Sequence, residues 1–547
     1  MRRPKLLIVT LACLALAALL PATAAATGRG TVRTDKGPVR GVESPALNKY
    51  LGIPYAAPPV GDLRWRPPEP PARWHQPLDA TGFANHCPQT ASPFGFPSTT
   101  EDCLYLNVFT PGGHQRSRDD RSGRNHKNRH KRHRRDDRER PVMVWFHGGG
   151  LTVGESDDYD PDRLVAQGVV VVTVNYRLGY LGFLAHPALS AESGRGSGNY
   201  GLMDQQAALR WVQRNIERFG GDDDDVTIFG QSAGGLSVHS QLASPTARGL
   251  FDGAIAQSGA YAESLPSLAE AETRGTTAAN DLGCPDQSAA CLRAAAVETI
   301  LAVQPEEPGA VLPTVDGNLL TRDIRTAFET GNFNRVPVIE GSTHDEFTIF
   351  EVLAVESLVG PVTEGLYPLV VQILDGTLGL PPTADEILAQ YPLSEFPSPG
   401  LAISAIGTDA IFACPARRTA QALSQHVRTY MYELDDPNVP QIFILPPASI
   451  PYGSYHAADL TFLFDSALRG GHAPFTPEQE ALAATMVRYW TQFAKVGTPN
   501  RFRVPFWPQY TPARDAHMSF EPPTPVAQTD FAAEHKCGFW DSFAPAL

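Results

Sequence analysis

Near its middle the chain reads Val226-Thr227-Ile228-Phe229-Gly230-Gln231-Ser232-Ala233-Gly234-Gly235. The stretch begins with a short run, residues 226–229, that has the composition of a buried strand. A helical pattern follows from Gly235 to Ala243. A serine flanked by glycines between a strand and a helix is the context of a nucleophile elbow. The glycines permit a turn too sharp for Cβ atoms, and the helix N-terminus favours the negative charge that develops during attack. The pattern predicts that Ser232 is a nucleophile rather than part of a structural turn.

The segments around this turn alternate between strand and helix. Continuous apolar runs, residues 141–146 and 169–174, suit strands that are buried on both faces, as in a mostly parallel sheet. Apolar residues recur at helical spacing between Asn199 and Phe219, and a further helix is predicted over 478–496. This alternation predicts a doubly wound α/β architecture. In contrast, the repeated prolines of residues 51–59 predict a loop.

The N-terminus has the pattern of a signal peptide, which we assign to residues 1–26. Basic residues precede an apolar run from Leu6 to Leu20, and small residues follow it. A membrane anchor is the alternative, but this run falls short of the ~20 residues that span a bilayer. Residues 27–547 show no internal repeat and no linker, so we expect a single domain and a secreted protein.

Charge and cysteine content restrict the function further. The net charge of −14 argues against nucleic acid as the main partner. Six cysteines remain after residue 26, and an even number in an exported chain favours disulfides, with 15 possible connectivities. The short separations of Cys87 from Cys103 and of Cys284 from Cys291 suggest two local loops, which leaves residues 414 and 537. No cysteine or histidine spacing supports a metal site.

A basic insertion interrupts the chain at about residues 113–140. From His114 to Arg140 it contains twelve Lys/Arg and five Asp/Glu, a charge of +7, which leaves −21 for the rest of the chain. With almost no apolar residues, it is expected to be a disordered, solvated loop between two strands. Contact with an anionic surface and loose metal binding through its four histidines are the functional alternatives.

A second glycine-rich segment fits the chemistry of an activated serine. His147-Gly148-Gly149-Gly150 directly follows the predicted strand 141–146 and is of the H-G-G-G type that supplies oxyanion donors. Its backbone N–H groups can point into a site without obstruction by side chains. The N–H of Ala233, directly after the nucleophile, is the other expected donor.

A serine also needs a base, and the base needs an acidic partner. In this kind of fold the acid and then the histidine follow the serine in the chain. Glu346 follows the strand-like run 336–340, and His456 lies on a loop before an apolar element. Order alone does not select them, because seven histidines follow Ser232, at positions 239, 344, 426, 456, 472, 517 and 535.

From about residue 28 to its end, apart from the basic insertion, the chain resembles the type-B carboxylesterases and lipases, the family that includes the cholinesterases. The markers are Gly52-Ile53-Pro54-Tyr55-Ala56, Glu101-Asp102-Cys103-Leu104-Tyr105-Leu106-Asn107-Val108, Asn175-Tyr176-Arg177-Leu178-Gly179 and the stretch around Ser232. The resemblance implies an α/β-hydrolase fold, with a large, mostly parallel central sheet, helices on both faces and long loop excursions that form a gorge.

The resemblance also implies a role for each candidate residue. Ser232 would attack a carboxylic ester, His456 would act as base and then acid, and Glu346 would orient the imidazole. The oxyanion donors would be Gly149, Gly150 and Ala233. It further implies the disulfides Cys87–Cys103 and Cys284–Cys291 and is compatible with Cys414–Cys537. The substrate would be a small-molecule ester, with no cofactor, metal or stable membrane span.

Three positions depart from the family pattern. Gln231 stands where many relatives have Glu, Phe347 stands where Gly often follows the acid, and the Cys87–Cys103 loop lacks the Trp with which cholinesterases bind quaternary ammonium. Preference for choline esters is therefore not expected. A lipase acting on long-chain glycerides is the nearest alternative. A non-catalytic binding module is disfavoured because all three triad positions are occupied, and the substrate and oligomeric state stay open.

Overall fold

The computed structural model describes residues 30–113, 139–262, 264–305, 310–464 and 473–543. The expected signal peptide, residues 1–26, lies outside the described residues, and so does the basic insertion except for its outermost residues.

Thirteen strands are present in the described part of the chain. They are β1 Thr31–Arg33, β2 Pro38–Arg40, β3 Leu47–Pro54, β4 Leu78–Asp79, β5 Tyr105–Pro111, β6 Arg140–Phe146, β7 Val170–Val174, β8 Gly221–Gln231, β9 Gly253–Gln257, β10 Val338–Thr343, β11 Thr429–Leu434, β12 His517–Phe520 and β13 Val526–Gln528.

Ten of these strands form one sheet, in the order β13-β12-β11-β10-β9-β8-β6-β7-β5-β3. The central strands from β7 to β12 run parallel, whereas β5, β3 and β13 are antiparallel to their neighbours at the two edges. The large, mostly parallel sheet expected from the sequence is therefore confirmed. Strands β1, β2 and β4 form a separate small sheet.

Continuous apolar strands arise because both faces of the sheet are covered. In β6, Val142, Val144 and Phe146 belong to one core cluster, together with residues of the helices after β7 and β8. Met143 and Trp145 belong to a second cluster, together with residues of the long helix 477–496. Successive side chains on a strand point to opposite faces, so this strand is apolar throughout.

The helices surround the sheet and connect its strands. They are α1 Asp162–Ala166, α2 Gly179–Phe183, α3 Pro187–Ser193, α4 Tyr200–Asn215, α5 Ala233–Ala243, α6 Leu268–Asp281, α7 Ala289–Ala294, α8 Val297–Val303, α9 Ile324–Glu329, α10 Thr348–Phe350, α11 Ser357–Val359, α12 Tyr367–Leu378, α13 Ala384–Gln390, α14 Pro399–Gly407, α15 Cys414–Ser424, α16 Leu460–Leu463, α17 Pro477–Val496, α18 Phe531–Glu534 and α19 Cys537–Phe543. Two π-helical segments, Glu351–Glu356 and Thr408–Ala413, join α10 to α11 and α14 to α15.

The prediction of a loop over residues 51–59 was wrong for residues 51–54. Strand β3 extends through Leu51 to Pro54, with an irregular register between Tyr50 and Ile53. Proline is tolerated here because β3 is an edge strand and Pro54 is its last residue, so no interior ladder bond is lost.

Three disulfides connect distant or looped parts of the chain, and they are the pairings that the sequence favours. They join Cys87 to Cys103, Cys284 to Cys291 and Cys414 to Cys537. The last one ties the start of α15 to α19 across 123 residues. Disulfides of this kind are typical of proteins that fold in oxidising compartments, which indicates an extracellular or secretory-type protein.

One helical run in the described part of the chain is long and apolar enough to cross a membrane. It covers Pro399–Ser424, and 72% of its most apolar window is buried inside the structure. Ala402, Ile403 and Ile406 pack there in a core cluster with residues of α12 and α19. Burial of this extent is typical of a helix in the core of a protein.

Candidate active site

Ser232 lies at the sharp turn between β8 and α5. Its backbone has φ +58° and ψ −123°, outside the region that residues with side chains normally adopt. Cβ atoms at positions 230 and 234 would lie 2.5 Å from the Gly234 carbonyl group and 1.9 Å from the Phe146 carbonyl oxygen, respectively. Both glycines are therefore required for the strand, the turn and the helix to pack this closely.

The H-G-G-G segment lies directly against this turn. A Cβ at Gly148 would be 2.8 Å from the Gln231 carbonyl oxygen and 3.1 Å from Cβ of Ser232. Gly149 and Gly150 have φ +102° and +64°, conformations that glycine adopts without strain. Within the described residues, the backbone N–H groups of Gly149, Gly150 and Ala233 donate to no carbonyl or side chain. These three N–H groups are thus available to a ligand beside Ser232.

Two tyrosines from the family motifs, Tyr55 and Tyr176, support the loop of residues 147–150. The Tyr176 ring stacks on the His147 ring at 4.4 Å, and its hydroxyl donates to the His147 carbonyl oxygen at 2.7 Å. Tyr55 donates to the Asn175 carbonyl oxygen at 2.7 Å. Burial lowers the pKa of His147 to about 4, so its ring is neutral and its Nδ1–H donates to the Gly148 carbonyl oxygen at 2.9 Å. The motifs therefore hold the loop rather than perform chemistry.

Glu346 and His456 meet in the interior, although 110 residues separate them in the chain. His456 Nδ1 forms a short hydrogen bond with Glu346 Oε2, and the other carboxylate oxygen accepts the Thr343 N–H at 2.8 Å. Glu346 is fully buried and His456 is 7% exposed. Because a carboxylate only accepts, this contact fixes the proton on Nδ1 and leaves Nε2 as the acceptor of the neutral ring.

Asp345, which the sequence analysis did not single out, connects the two loops that carry these residues. Its N–H donates to the Ser454 carbonyl oxygen at 3.0 Å, and its carboxylate accepts the Ser454 N–H at 2.8 Å. Gly453 has φ +59°, and a Cβ there would lie 2.1 Å from the Asp345 carboxylate. Its position beside Glu346 is the only signal of this role that the sequence offers.

Aromatic side chains surround the imidazole, and these too were missed by sequence reasoning. The ring centroids of Phe350 and Phe412 lie 5.2 and 4.9 Å from the centroid of the His456 ring, and the two phenyl rings stack on each other. Phe412 lies in one π-helical segment and Phe350 directly precedes the other. Segments of this kind are frequent at functional sites. Phe347 packs on Gly407 instead, and a Cβ there would be 2.2 Å from its ring. The departure at Phe347 is thus accommodated by a glycine.

The reacting edge of the imidazole faces the turn after β8. The Gln231 side-chain nitrogen lies 3.2 Å from His456 Nε2. Ser232 is partly buried, and its hydroxyl makes no hydrogen bond with another described residue. The structure therefore brings the predicted residues of four separate segments close to one another: Ser232 and Ala233 after β8, Gly149 and Gly150 after β6, Glu346 after β10, and His456 before α16.

Asp459 is a second buried carboxylate in the loop of His456. Its Oδ2 accepts hydrogen bonds from Gln257 and from the Tyr432 hydroxyl, both at 2.7 Å, and its Oδ1 is buried without a partner among the described residues. Burial is the main cause that raises the pKa of Asp459 from 3.8 to about 6, and the negative charge of Glu346 adds to it.

We expect Asp459→Asn to stabilise the protein above pH 6. The raised pKa favours the protonated form in the folded state. The contribution of Asp459 to the unfolding free energy of the wild type therefore falls as pH rises from about 4 to 6. The variant does not titrate, so the difference in unfolding free energy should grow over this range to at most about 3 kcal/mol and then level off. Urea denaturation of both proteins from pH 4.5 to 7.5 measures it. A difference that stays flat or shrinks with pH would show that the carboxylate is not strained by burial.

Among the residues that the structure describes, one group of three side chains could hold a metal ion: His86, Glu155 and Asp157. However, the two imidazole nitrogens face different carboxylates, at 3.0 Å for Asp157 and 3.3 Å for Glu155. The hydrogen bond with Asp157 raises the pKa of His86 against the opposing effect of burial. One ion could use only one ring nitrogen, so the arrangement suits an imidazolium between two carboxylates.

Residues 29–540 match the Carboxylesterase family. The chain is 34% identical over 543 residues to the cocaine esterase of Homo sapiens, covering 94% of this chain and 90% of that protein. It is 35% identical over 490 residues to the acylcarnitine hydrolase of Mus musculus, covering 84% and 81%. It is also 34% identical over 507 residues to the para-nitrobenzyl esterase of Bacillus subtilis (strain 168), covering 88% and 92%.

Solved structures agree with the sequence relatives. A thermophilic PNB esterase superimposes with a TM-score of 0.75 and 31% identity, covering 94% of this chain and all of that chain. A second PNB esterase structure gives the same TM-score and identity. The fold expected from the sequence is confirmed by this likeness.

Proposed function

Because this chain belongs to the carboxylesterase family and is a carboxylic ester hydrolase, we propose that it forms its acyl-enzyme on Ser232. The observation that carries the proposal is the contact of His456 with buried Glu346 beside the turn that presents Ser232. A charged acceptor on Nδ1 keeps Nε2 ready to take a proton, as the activation of a serine requires.

Acylation follows from this arrangement. Ser232 Oγ attacks the ester carbonyl carbon while its proton passes to His456 Nε2, and Glu346 stabilises the resulting imidazolium. The N–H groups of Gly149, Gly150 and Ala233 donate to the oxyanion of the tetrahedral intermediate. When the intermediate collapses, the C–O bond to the alcohol breaks, and the imidazolium gives its proton to the departing alcohol.

Deacylation repeats the sequence with water as the nucleophile. His456 Nε2 takes a proton from the water molecule as its oxygen attacks the acyl carbon, and then returns a proton to Ser232 Oγ as the acid leaves. His456 Nε2 thus accepts and returns the proton in both steps. Because an imidazolium cannot accept a proton, activity should fall at acidic pH.

The chain acts on small-molecule esters, and we propose that the wall of its acyl or alcohol site is aromatic. The rings of Phe350 and Phe412 border His456, which favours apolar groups on the substrate. Export to the extracellular medium, with removal of residues 1–26, is the location that fits the three disulfides. Contact of residues 113–140 with an anionic surface stays a prediction.

Hydrolysis of long-chain glycerides at an interface is a second candidate function. The helical run that begins at Thr348, two residues after Glu346, ends with Leu358 and Val359, which are 84% and 50% exposed. Leu369 and Ile373 on α12 are also more than half exposed. Large exposed apolar side chains of this kind are common where a protein contacts an apolar surface.

Hydrolysis of p-nitrophenyl esters from acetate to palmitate separates the two functions. A soluble-substrate esterase should have its highest kcat/KM with short acyl chains and show no increase when the substrate passes into micelles. An optimum with long chains, together with a rise at micellisation, would favour the lipase instead. Absence of hydrolysis by a folded wild-type protein across the whole series would contradict both.

A further inference from the structure

Gln231, directly before the proposed nucleophile, has its side chain at the catalytic imidazole. It is 3% exposed, and its Nε2 lies 3.2 Å from His456 Nε2. The proton on His456 Nδ1 is committed to Glu346, so Nε2 of the neutral ring carries a lone pair. An amide NH₂ is a donor, and the contact is therefore a hydrogen bond from Gln231 to the nitrogen that must accept the proton of Ser232.

This bond distinguishes between the two charge states of the imidazole. The neutral ring accepts from the Gln231 amide, whereas the N–H of an imidazolium would meet another N–H. A hydrogen bond to the neutral form disfavours the charged form of a titrating group. The amide also carries no charge that would attract an imidazolium.

We propose that Gln231 is a positioning residue that holds His456 in its neutral, proton-accepting form in the resting enzyme. This inference rests on the proposed role of His456 as the general base. The bond to Gln231 occupies Nε2 until the substrate arrives, and it extends the range of active enzyme toward acidic pH.

Among the residues that the structure describes, the charged groups next to the imidazole are Glu346, which bonds Nδ1, and Asp459, which interacts with the ring through its negative charge. The packed segments that contribute Phe350 and Phe412 also carry Glu351 and Asp409. Asp409 is bonded to the His535 ring and the Tyr391 hydroxyl, and Glu351 lies against Gly400, with Oε1 3.1 Å from a Cβ placed there. Position 231 is therefore the site at which one added charge would act directly on Nε2.

The test compares Gln231→Glu and Gln231→Met with the wild type. A carboxylate against Nε2 favours the imidazolium, so the acidic limb of the kcat/KM–pH profile should move to higher pH by about one unit in Gln231→Glu. In Gln231→Met the bond to the neutral ring is lost without added charge, and the limb should move in the same direction by less. Gln372→Glu, at an exposed position on α12, adds the same charge elsewhere and should leave the profile unchanged.

A second measurement keeps this inference separate from the proposed function. In protein labelled with ¹⁵N-histidine, the ring signals of His456, assigned by their loss in His456→Ala, report its protonation without any turnover. The midpoint of that titration should move upward in both Gln231 variants. A titration of Gln231→Met that coincides with the wild type would overturn the role of Gln231, whatever the midpoint of Gln231→Glu. Absence of ester hydrolysis in a wild type whose titration still responds to position 231 would overturn the proposed function alone.

Discussion

Replacement of Ser232 by alanine should lower ester hydrolysis by a factor on the order of 10⁴ to 10⁶. Alanine keeps the turn and the packing, because the Ser232 hydroxyl makes no hydrogen bond with another described residue. What it removes is the atom that we propose forms the acyl-enzyme. The effect should appear in kcat, because the proposed oxyanion donors and the substrate pocket stay intact.

The measurement is the hydrolysis of p-nitrophenyl acetate by the variant and the wild type, together with labelling by a fluorophosphonate. The wild type should take up one label per chain, on Ser232, and the variant none. Ser542→Ala is the matched control: Ser542 is exposed on α19, where its hydroxyl donates to the Phe539 carbonyl oxygen. Activity of Ser232→Ala within tenfold of the control would mean that another group is the nucleophile.

The sequence predicts the parts of this site that depend on local geometry. The turn at Ser232 and the loop at Gly149 each follow an apolar strand, and glycine is needed there because neighbouring backbone approaches to within 1.9–2.8 Å of a Cβ position. Such contacts leave a compositional trace in a short window. The same holds for the central strands, whose runs of valine reflect burial on both faces.

The partners of Ser232 could not be selected in this way. Glu346 and His456 meet because β10 lies two strands from β8 and because Asp345 and Ser454 bond the two loops together. That pairing joins residues 109 positions apart, and no local pattern reports it. The resemblance to a family supplied the two residues, and the geometry now gives the physical reason for their proximity.

The aromatic wall was not predictable for a related reason. Phe350 and Phe412 adjoin or occupy π-helical segments, whose extra residue per turn changes which side chains share a face. A 3.6-residue periodicity therefore misplaces them. Pro54 illustrates the opposite error: a residue that usually breaks a strand ends an edge strand here without cost.

The motif Asn175–Gly179 shows how a specific sequence signature can serve the scaffold. Arg177 donates from Nε and Nη2 to Asp204 on α4 at 2.7 Å, and its backbone N–H donates to the same carboxylate at 3.1 Å. The two side chains are 3% and 0% exposed. The guanidinium also lies 5.3 Å from the Tyr200 ring. This ion pair joins the segment after β7 to the helix that covers the sheet.

Asp204→Ala should therefore lower the unfolding free energy by about 3–5 kcal/mol, because it leaves the guanidinium of Arg177 buried without its counter-charge. An exposed pair gives the matched control: Glu395 binds Lys536 at 2.8 Å but is 53% exposed, and Glu395→Ala should cost less than about 1 kcal/mol. Chemical denaturation gives both values from the shift in midpoint at constant slope.

Replacement of both partners, Arg177→Met with Asp204→Leu, should recover much of the loss, because no buried charge is then left unpaired. A single variant as stable as the control, or a double variant whose loss equals the sum of the two single losses, would show that the pair does not anchor α4. The motif would then need another explanation, and its closeness to the glycine loop through Tyr176 would make the support of that loop the first alternative to examine.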